Sequence, residues 1–226
     1  MERHFEHDLD GIRQTLLRMG AMVEQMVAGS LDSLVQRDDD RAEAIVREDE
    51  EVDELEKEVD ERCHRILATQ QPIAKDLRFL VSVMSITKDL ERVGDSAVNI
   101  SRSVLVLNQE PPLGPYRDLP ALAEMVAQMV RDALDSFVNR DSREALEVCR
   151  RDKEADAIYK RVFQELLDAM VERHEAVNRA LHLVLIARNL ERIGDHATNI
   201  AEDVIYYVEG RDIRHERLAP VDPAAN

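Results

Sequence analysis

Glu91 and Asp95 stand four residues apart, and Glu191 and Asp195 repeat the pair one hundred residues later. On a helix, such a pair projects from one face with a rise of about 6 Å between its members. Asp49 and Asp53 make a second pair with the same spacing, matched by Asp152 and Asp156 at an offset of 103. If antiparallel helices bring the pairs level, four carboxylates converge in each half of the chain. Like charges that close cannot all stay ionised unaided, so protons or cations must neutralise them. Two divalent ions would balance four charges.

Oxygen-only ligation suits hard or borderline ions such as Mg, Mn, Ca and Fe. Zn is less favoured, because no Cys or His repeats beside the acids. Asn99 and Asn199, one turn beyond each Asp, offer auxiliary amide oxygens or groups that orient a carboxylate. His196 adjoins the second pair, but Ser96 holds the matching position, so a shared mechanism excludes it. A plainer reading competes. With about one residue in five acidic, chance alone yields roughly ten such pairs, most of them solvated faces with basic neighbours. Arg92 and Arg192 are the natural ion-pair partners in that reading.

Other constellations carry less. Glu61-Arg-Cys-His64 has the spacing of a di-iron carboxylate bundle, but Gln164 and Leu167 stand at the corresponding positions, and such a site needs two motifs. His4, His7, His174, His182 and His215 show no repeating ligand spacing. Glycine-rich phosphate loops, nucleophile elbows and nucleotide fingerprints are absent. A metalloenzyme would need an open coordination position and a placed base, and neither is legible.

The elements that must position these acids follow from a duplication. Met22-Val-Glu-Gln-Met-Val aligns with Met125-Val-Ala-Gln-Met-Val, and Leu31-Asp-Ser-Leu-Val-Gln-Arg-Asp with Leu134-Asp-Ser-Phe-Val-Asn-Arg-Asp. Leu90-Glu-Arg-Val-Gly-Asp-Ser-Ala-Val-Asn-Ile-Ser aligns with Leu190-Glu-Arg-Ile-Gly-Asp-His-Ala-Thr-Asn-Ile-Ala, identical at eight of twelve positions. Heptads alone give vague similarity, but not a shared mid-helix Gly. Gly94 and Gly194 each cost about 1 kcal/mol relative to Ala, which implies close approach by a neighbour.

Four of seven prolines fall between Asn108 and Pro120, a stretch no helix crosses intact. The periodicity predicts helices over about 5–36, 38–70, 72–108, 119–140, 142–171 and 174–209. Pro72 fits a first helical turn, and Asp38 to Asp40 and Asp141-Ser142 supply N-caps. Ile45, Val52, Leu55, Val59, Cys63 and Ile66 form one apolar stripe; Ile73, Leu77, Leu80, Met84 and Val98 form another near the first acid pair. Val177, Ala180, Val184 and Thr198 flank the second pair. The fold class is all-α, with two tandem, sequence-related three-helix bundles of long antiparallel helices. The first repeat spans 1–108, a Pro-rich linker 109–118, the second repeat 119–210, and a polar tail 211–226.

The whole chain has 226 residues with 44% hydrophobic, 34% charged and 4% aromatic, and a formal charge of −17. That charge repels nucleic-acid backbones, anionic lipid and free phosphate alike, so an anion would need a cation or a local basic pocket as intermediary. No apolar run approaches the length of a membrane span. Cys63 and Cys149 form neither a disulfide framework nor a zinc motif, which fits a reducing cytoplasm.

Over roughly residues 5 to 210, these features resemble the PhoU family, bacterial regulators of phosphate uptake and phosphate signalling. The carrying motifs are the acid-x-x-x-Asp pair in each middle helix and Leu-Glu-Arg-hydrophobic-Gly-Asp in each third helix. The resemblance implies two multinuclear metal clusters. One would be held by Asp49, Asp53, Glu91 and Asp95, the other by Asp152, Asp156, Glu191 and Asp195. It also implies a cytoplasmic, non-enzymatic adaptor that restrains phosphate import. Its partners would be the ATPase subunit of the phosphate ABC transporter and the phosphate sensor histidine kinase, with the membrane reached only through them. Homodimerisation and the choice among Mg, Mn, Fe and Zn stay open. A carboxylate-bridged metalloenzyme and a purely structural helical scaffold are the rival readings.

Overall fold

The computed structural model describes residues 2–114 and 118–214, without the side chains of residues 2–4. Expectations for linker residues 115–117, the tail from residue 215 onward, His215 and the His4 side chain lie outside these. Six long helices form: α1 (Glu2–Gln36), α2 (Asp39–Gln70), α3 (Ala74–Leu107), α4 (Leu119–Asn139), α5 (Ser142–Glu172) and α6 (Val177–Glu209). A single 3₁₀ turn, His174–Ala176, precedes α6.

The helix ends show why the chain breaks where it does. Asp38 caps α2 by accepting from the Arg41 N–H, and Asp141 caps α5 by accepting from those of Arg143 and Glu144. Each is preceded by a left-handed arginine, Arg37 at φ 56° and Arg140 at φ 54°. Asp38 N–H donates to Ser33 O, and Asp141 N–H to Ser136 O. The duplicated sequence therefore builds the same corner twice. Pro72 lies just ahead of α3 rather than in its first turn, because Gln71 ends the preceding segment in a left-handed conformation and Ile73 is the extended N-cap.

Within each half the three helices pack mutually, and the halves join through α3 with α6 and α1 with α4. Phe79 meets Tyr207 at 5.6 Å between ring centroids, the Ser82 hydroxyl donates to Asp203 O at 3.2 Å, and Asp89 meets His196 at 2.7 Å. Numbers rise on α3 as they fall on α6, so the two are antiparallel and a pseudo-two-fold relates the halves. Among the described residues α2 touches neither α5 nor α6. The order α2, α3, α6, α5 thus forms a layer, with α1 and α4 covering one side.

The core runs through the covered side. Phe79, Phe137 and Tyr207 form an aromatic trio that ties both halves together. The α2 stripe from Ile45 to Ile66 is buried as expected. On α3 the expected stripe is only partly right: Leu80 and Val98 are buried, but Ile73 and Leu77 are 76% and 41% exposed. The buried line is instead Phe79, Leu80, Val83, Ile86, Leu90, Val93, Ala97, Ile100 and Val104. Leu77 and Asp95 are eighteen residues apart, about five full turns, so they share the open side. Val177 on α6 is likewise exposed, whereas Ala180 is buried.

Candidate metal centres

The acid pairs sit at mid-helix on the uncovered side, one quartet between α2 and α3 and the other between α5 and α6. Gly94 faces the first gap: a Cβ built there would stand 3.6 Å from Asp49 Oδ1 and 3.6 Å from Val52 Cγ1, ordinary van der Waals contact. Gly194 faces Val126 Cγ1 at 3.4 Å. Seven of the eight acids are half-buried and Asp195 is more open.

The electrostatics show that the pairs meet. Asp49 is raised above the usual carboxylate range by burial, then by Asp53 on its own helix and Asp95 across the gap. Glu91 is raised by burial, then by Asp95, with Glu56 and Asp53 contributing from α2. In the second half, Asp152 is raised by burial, then by Asp195 and Asp156, against a lowering contact from the Thr198 hydroxyl. Glu191 is raised by burial and then by Asp195, Asp156 and Asp152. Asp195 is raised by the loss of water around it and by Asp156. Each quartet is one mutually repelling set spanning two helices.

Basic side chains offset part of this charge. Arg92 reaches Glu91 at 3.2 Å and Asp95 at 3.6 Å, and Lys160 reaches Asp156 at 3.2 Å. Arg102 lowers Asp49, and Arg188 and Arg192 act on Glu191 and Asp195. Half-exposed pairs of this kind contribute little to stability. Among the described residues, no three His, Cys, Asp or Glu side chains are posed to hold a metal ion as they stand. The donor set nevertheless fits a hard cation: four oxygen-bearing acids per gap, each gap with carboxylates that favour gaining positive charge, and no sulfur or imidazole among them. Asp49, Asp53, Glu91 and Asp95 would hold ions in the first gap, and Asp152, Asp156, Glu191 and Asp195 in the second. A cation there would neutralise the repulsion.

Asn199 is turned elsewhere. Its amide donates to Asp89 at 3.1 Å on the α3–α6 seam, beside His196. Asn99 is exposed on the open side. Glu56 on α2 also acts on Glu91, and sequence reasoning missed it, since Tyr159 at the matching position removes it from the repeat. Asp89, the acceptor on the seam, was missed for the same reason, as Asn189 is its counterpart. His64, from the discarded di-iron spacing, is exposed and its ring meets Asp60 O. Cys63 and Cys149 are both buried, unbridged thiols, each pushed up to about 12 by burial.

Two sequence-related three-helix units in tandem place the chain in a class of tandem helical-bundle proteins. The profile of that class, the PhoU domain, matches residues 16–104 and 119–204. The chain belongs to the PhoU family. It is 38% identical over 210 residues to the phosphate-specific transport system accessory protein PhoU homolog of Clostridium acetobutylicum, covering 92% of this chain and 96% of that protein. It is 41% identical over 220 residues to the Pseudomonas putida homolog of the same name, covering 96% and 86%. The crystal structure of PhoU from Pseudomonas aeruginosa superposes with a TM-score of 0.90 at 38% identity, covering 92% of this chain and all of that one. These relatives are named as accessory proteins, and the chain stands with them rather than with enzymes.

Proposed function

We propose that this protein is an accessory regulator of a phosphate-specific transport system, acting as a cation-dependent adaptor. The observation that carries the cation part is the convergence of two acid quartets, each drawn from two helices and each with members raised by burial and then by their acidic neighbours. The relatives' names supply the transport context. Cations would supply charge neutralisation, fixing α2 on α3 and α5 on α6.

Contact with partners is supported by the open side of the layer. Leu77 and Val81 on α3, and Val177, Leu181 and Leu185 on α6, are each 40 to 48% exposed at helical spacing. No described helix is long and apolar enough to cross a membrane, which fits a protein that reaches a transporter by docking. The ATPase subunit of the transporter and the phosphate sensor kinase are the proposed partners, the cytoplasm is the proposed compartment, and restraint of uptake is the proposed effect. A pull-down from cells grown in high and low phosphate tests this: both partners should be recovered, with the amount depending on phosphate. Recovery of neither would refute the adaptor reading. One observation favours the rival scaffold: Arg92 already pairs with both Glu91 and Asp95.

A further inference from the structure

The α3–α6 seam holds a polar cluster without an equivalent across the pseudo-two-fold. His196 Nδ1–H donates to Asp89 Oδ1 at 2.7 Å, and the Asn199 amide donates to the same oxygen at 3.1 Å. The Asp89 and His196 side chains are only 14% and 17% exposed. The repeat places Asn189, Ser96 and Asn99 at the matching positions. There the Asn189 amide donates to Leu185 O and the Ser96 hydroxyl to Arg92 O, each within its own helix. The clasp therefore crosses the seam at one end.

Its two ends lie close in sequence to members of the two acid quartets. Asp89 lies two residues before Glu91, and His196 directly follows Asp195. No three acids among the described residues are posed for an ion as they stand, so loading a quartet draws its carboxylates together, and the pull falls on the helical turns that carry them. A shift of the Asp195 turn moves His196, and through Asp89 the turn that carries Glu91. The quartets lie about 20 Å apart, roughly two interaxial spacings. Over that distance direct repulsion between bound ions is screened, since the Debye length is about 8 Å at physiological salt.

Resting on the reading of both quartets as cation sites, we propose that Asp89, His196 and Asn199 are positioning residues that couple the sites, so that loading either one raises the affinity of the other. The first ion orders the seam and the second then finds its quartet already arranged. By linkage the effect is equal in both directions.

The test is a calorimetric titration of manganese(II) into metal-stripped full-length protein, with either quartet disabled by Glu91→Ala/Asp95→Ala or by Glu191→Ala/Asp195→Ala. In the parent, disabling one quartet should weaken manganese at the other by about fivefold or more, the lower end of ordinary coupling. In a His196→Ser background, which installs the residue found at position 96, the loss should fall below about twofold. His196→Gln keeps a donor for Asp89 and should restore the coupling. A merely structural role for His196 would weaken both sites alike, whatever the state of the other quartet, and circular dichroism confirms that each variant folds. Coupling that persists in His196→Ser overturns the clasp. Two independent sites in the parent overturn the coupling while leaving the cation reading intact, whereas no manganese at either quartet overturns both.

Discussion

Gly94 on α3 lies against the carboxylate of Asp49 on α2, with 3.6 Å between Asp49 Oδ1 and the point where a Cβ would sit. That separation is ordinary van der Waals contact. The recurrence of Gly at 94 and 194 suggested a tighter approach, yet the atoms facing these positions are the ends of Asp49, Val52, Met26, Val126 and Met129 side chains.

Gly94→Ala should therefore fold without loss, gaining up to about 1 kcal/mol in helix propensity. Gly20→Ala is the contrast, because its Cβ would stand 2.8 Å from Cδ1 of the buried Leu134 at the α1–α4 contact. It should cost about 1 to 3 kcal/mol by overpacking. Urea denaturation of both variants checks the difference, and an equal loss in the two would contradict this account of the glycines.

The quartets make a prediction about metal content. Glu91→Ala/Asp95→Ala should lower bound metal by about half or more, since it removes two oxygen ligands from one of the two sites. Elemental analysis of untagged protein after dialysis measures this. Unchanged content would show that these residues are not ligands.

Acidification should stabilise the metal-free protein. Asp49, Glu91, Asp152, Glu191 and Asp195 are all raised on folding, and Asp203 is raised to about 6 by burial, against lowering contacts from Ser85 and Arg214. A carboxylate raised in the folded state binds more protons there than in the unfolded chain, so stability falls as pH rises. The penalty is absent below the ordinary carboxylate values of 3.8 and 4.5 and, for Asp203, complete above about 6. Asp203 alone accounts for about 3 kcal/mol between those limits. Thermal melts should thus show a Tm higher at pH 5 than at pH 7 without metal, and a smaller difference with manganese present. A metal-free Tm that rises with pH over this interval would contradict the assignment.

Arg37 closes the first bundle by donating to the carbonyl oxygens of Asn108 and Glu110 at 2.8 and 2.7 Å, with Leu107 O at 3.4 Å. These are groups at and beyond the C-terminus of α3, where a cation also meets the helix dipole. Arg37→Ala should cost about 1 to 3 kcal/mol, the range for bonds to a charged donor. Chemical denaturation measures it, and a change below about 0.5 kcal/mol, typical of an indifferent surface site, would show that the contacts are idle.

What the sequence reveals depends on whether a feature is repeated or local. The helices and the two sets of paired acids are legible because duplication prints each signal twice, and Asp38 and Asp141 announce their caps. Ile73 and Leu77 mislead, because residue type gives a helix its apolar members but not the azimuth of its neighbours. Arg92 occupies the place foreseen for an ion-pair partner, while Lys160 does so from the other helix of its gap. The clasp of Asp89 with His196 is illegible for the opposite reason: it joins residues 107 apart that the repeat does not pair.

Anomalous diffraction at the manganese edge from crystals of this protein grown with manganese(II) tests directly whether the acid quartets hold cations. Difference peaks are expected in both gaps, one among Asp49, Asp53, Glu91 and Asp95 and one among Asp152, Asp156, Glu191 and Asp195. Maps with no peak in either gap, at manganese concentrations that saturate the protein's measured uptake, would contradict the cation reading.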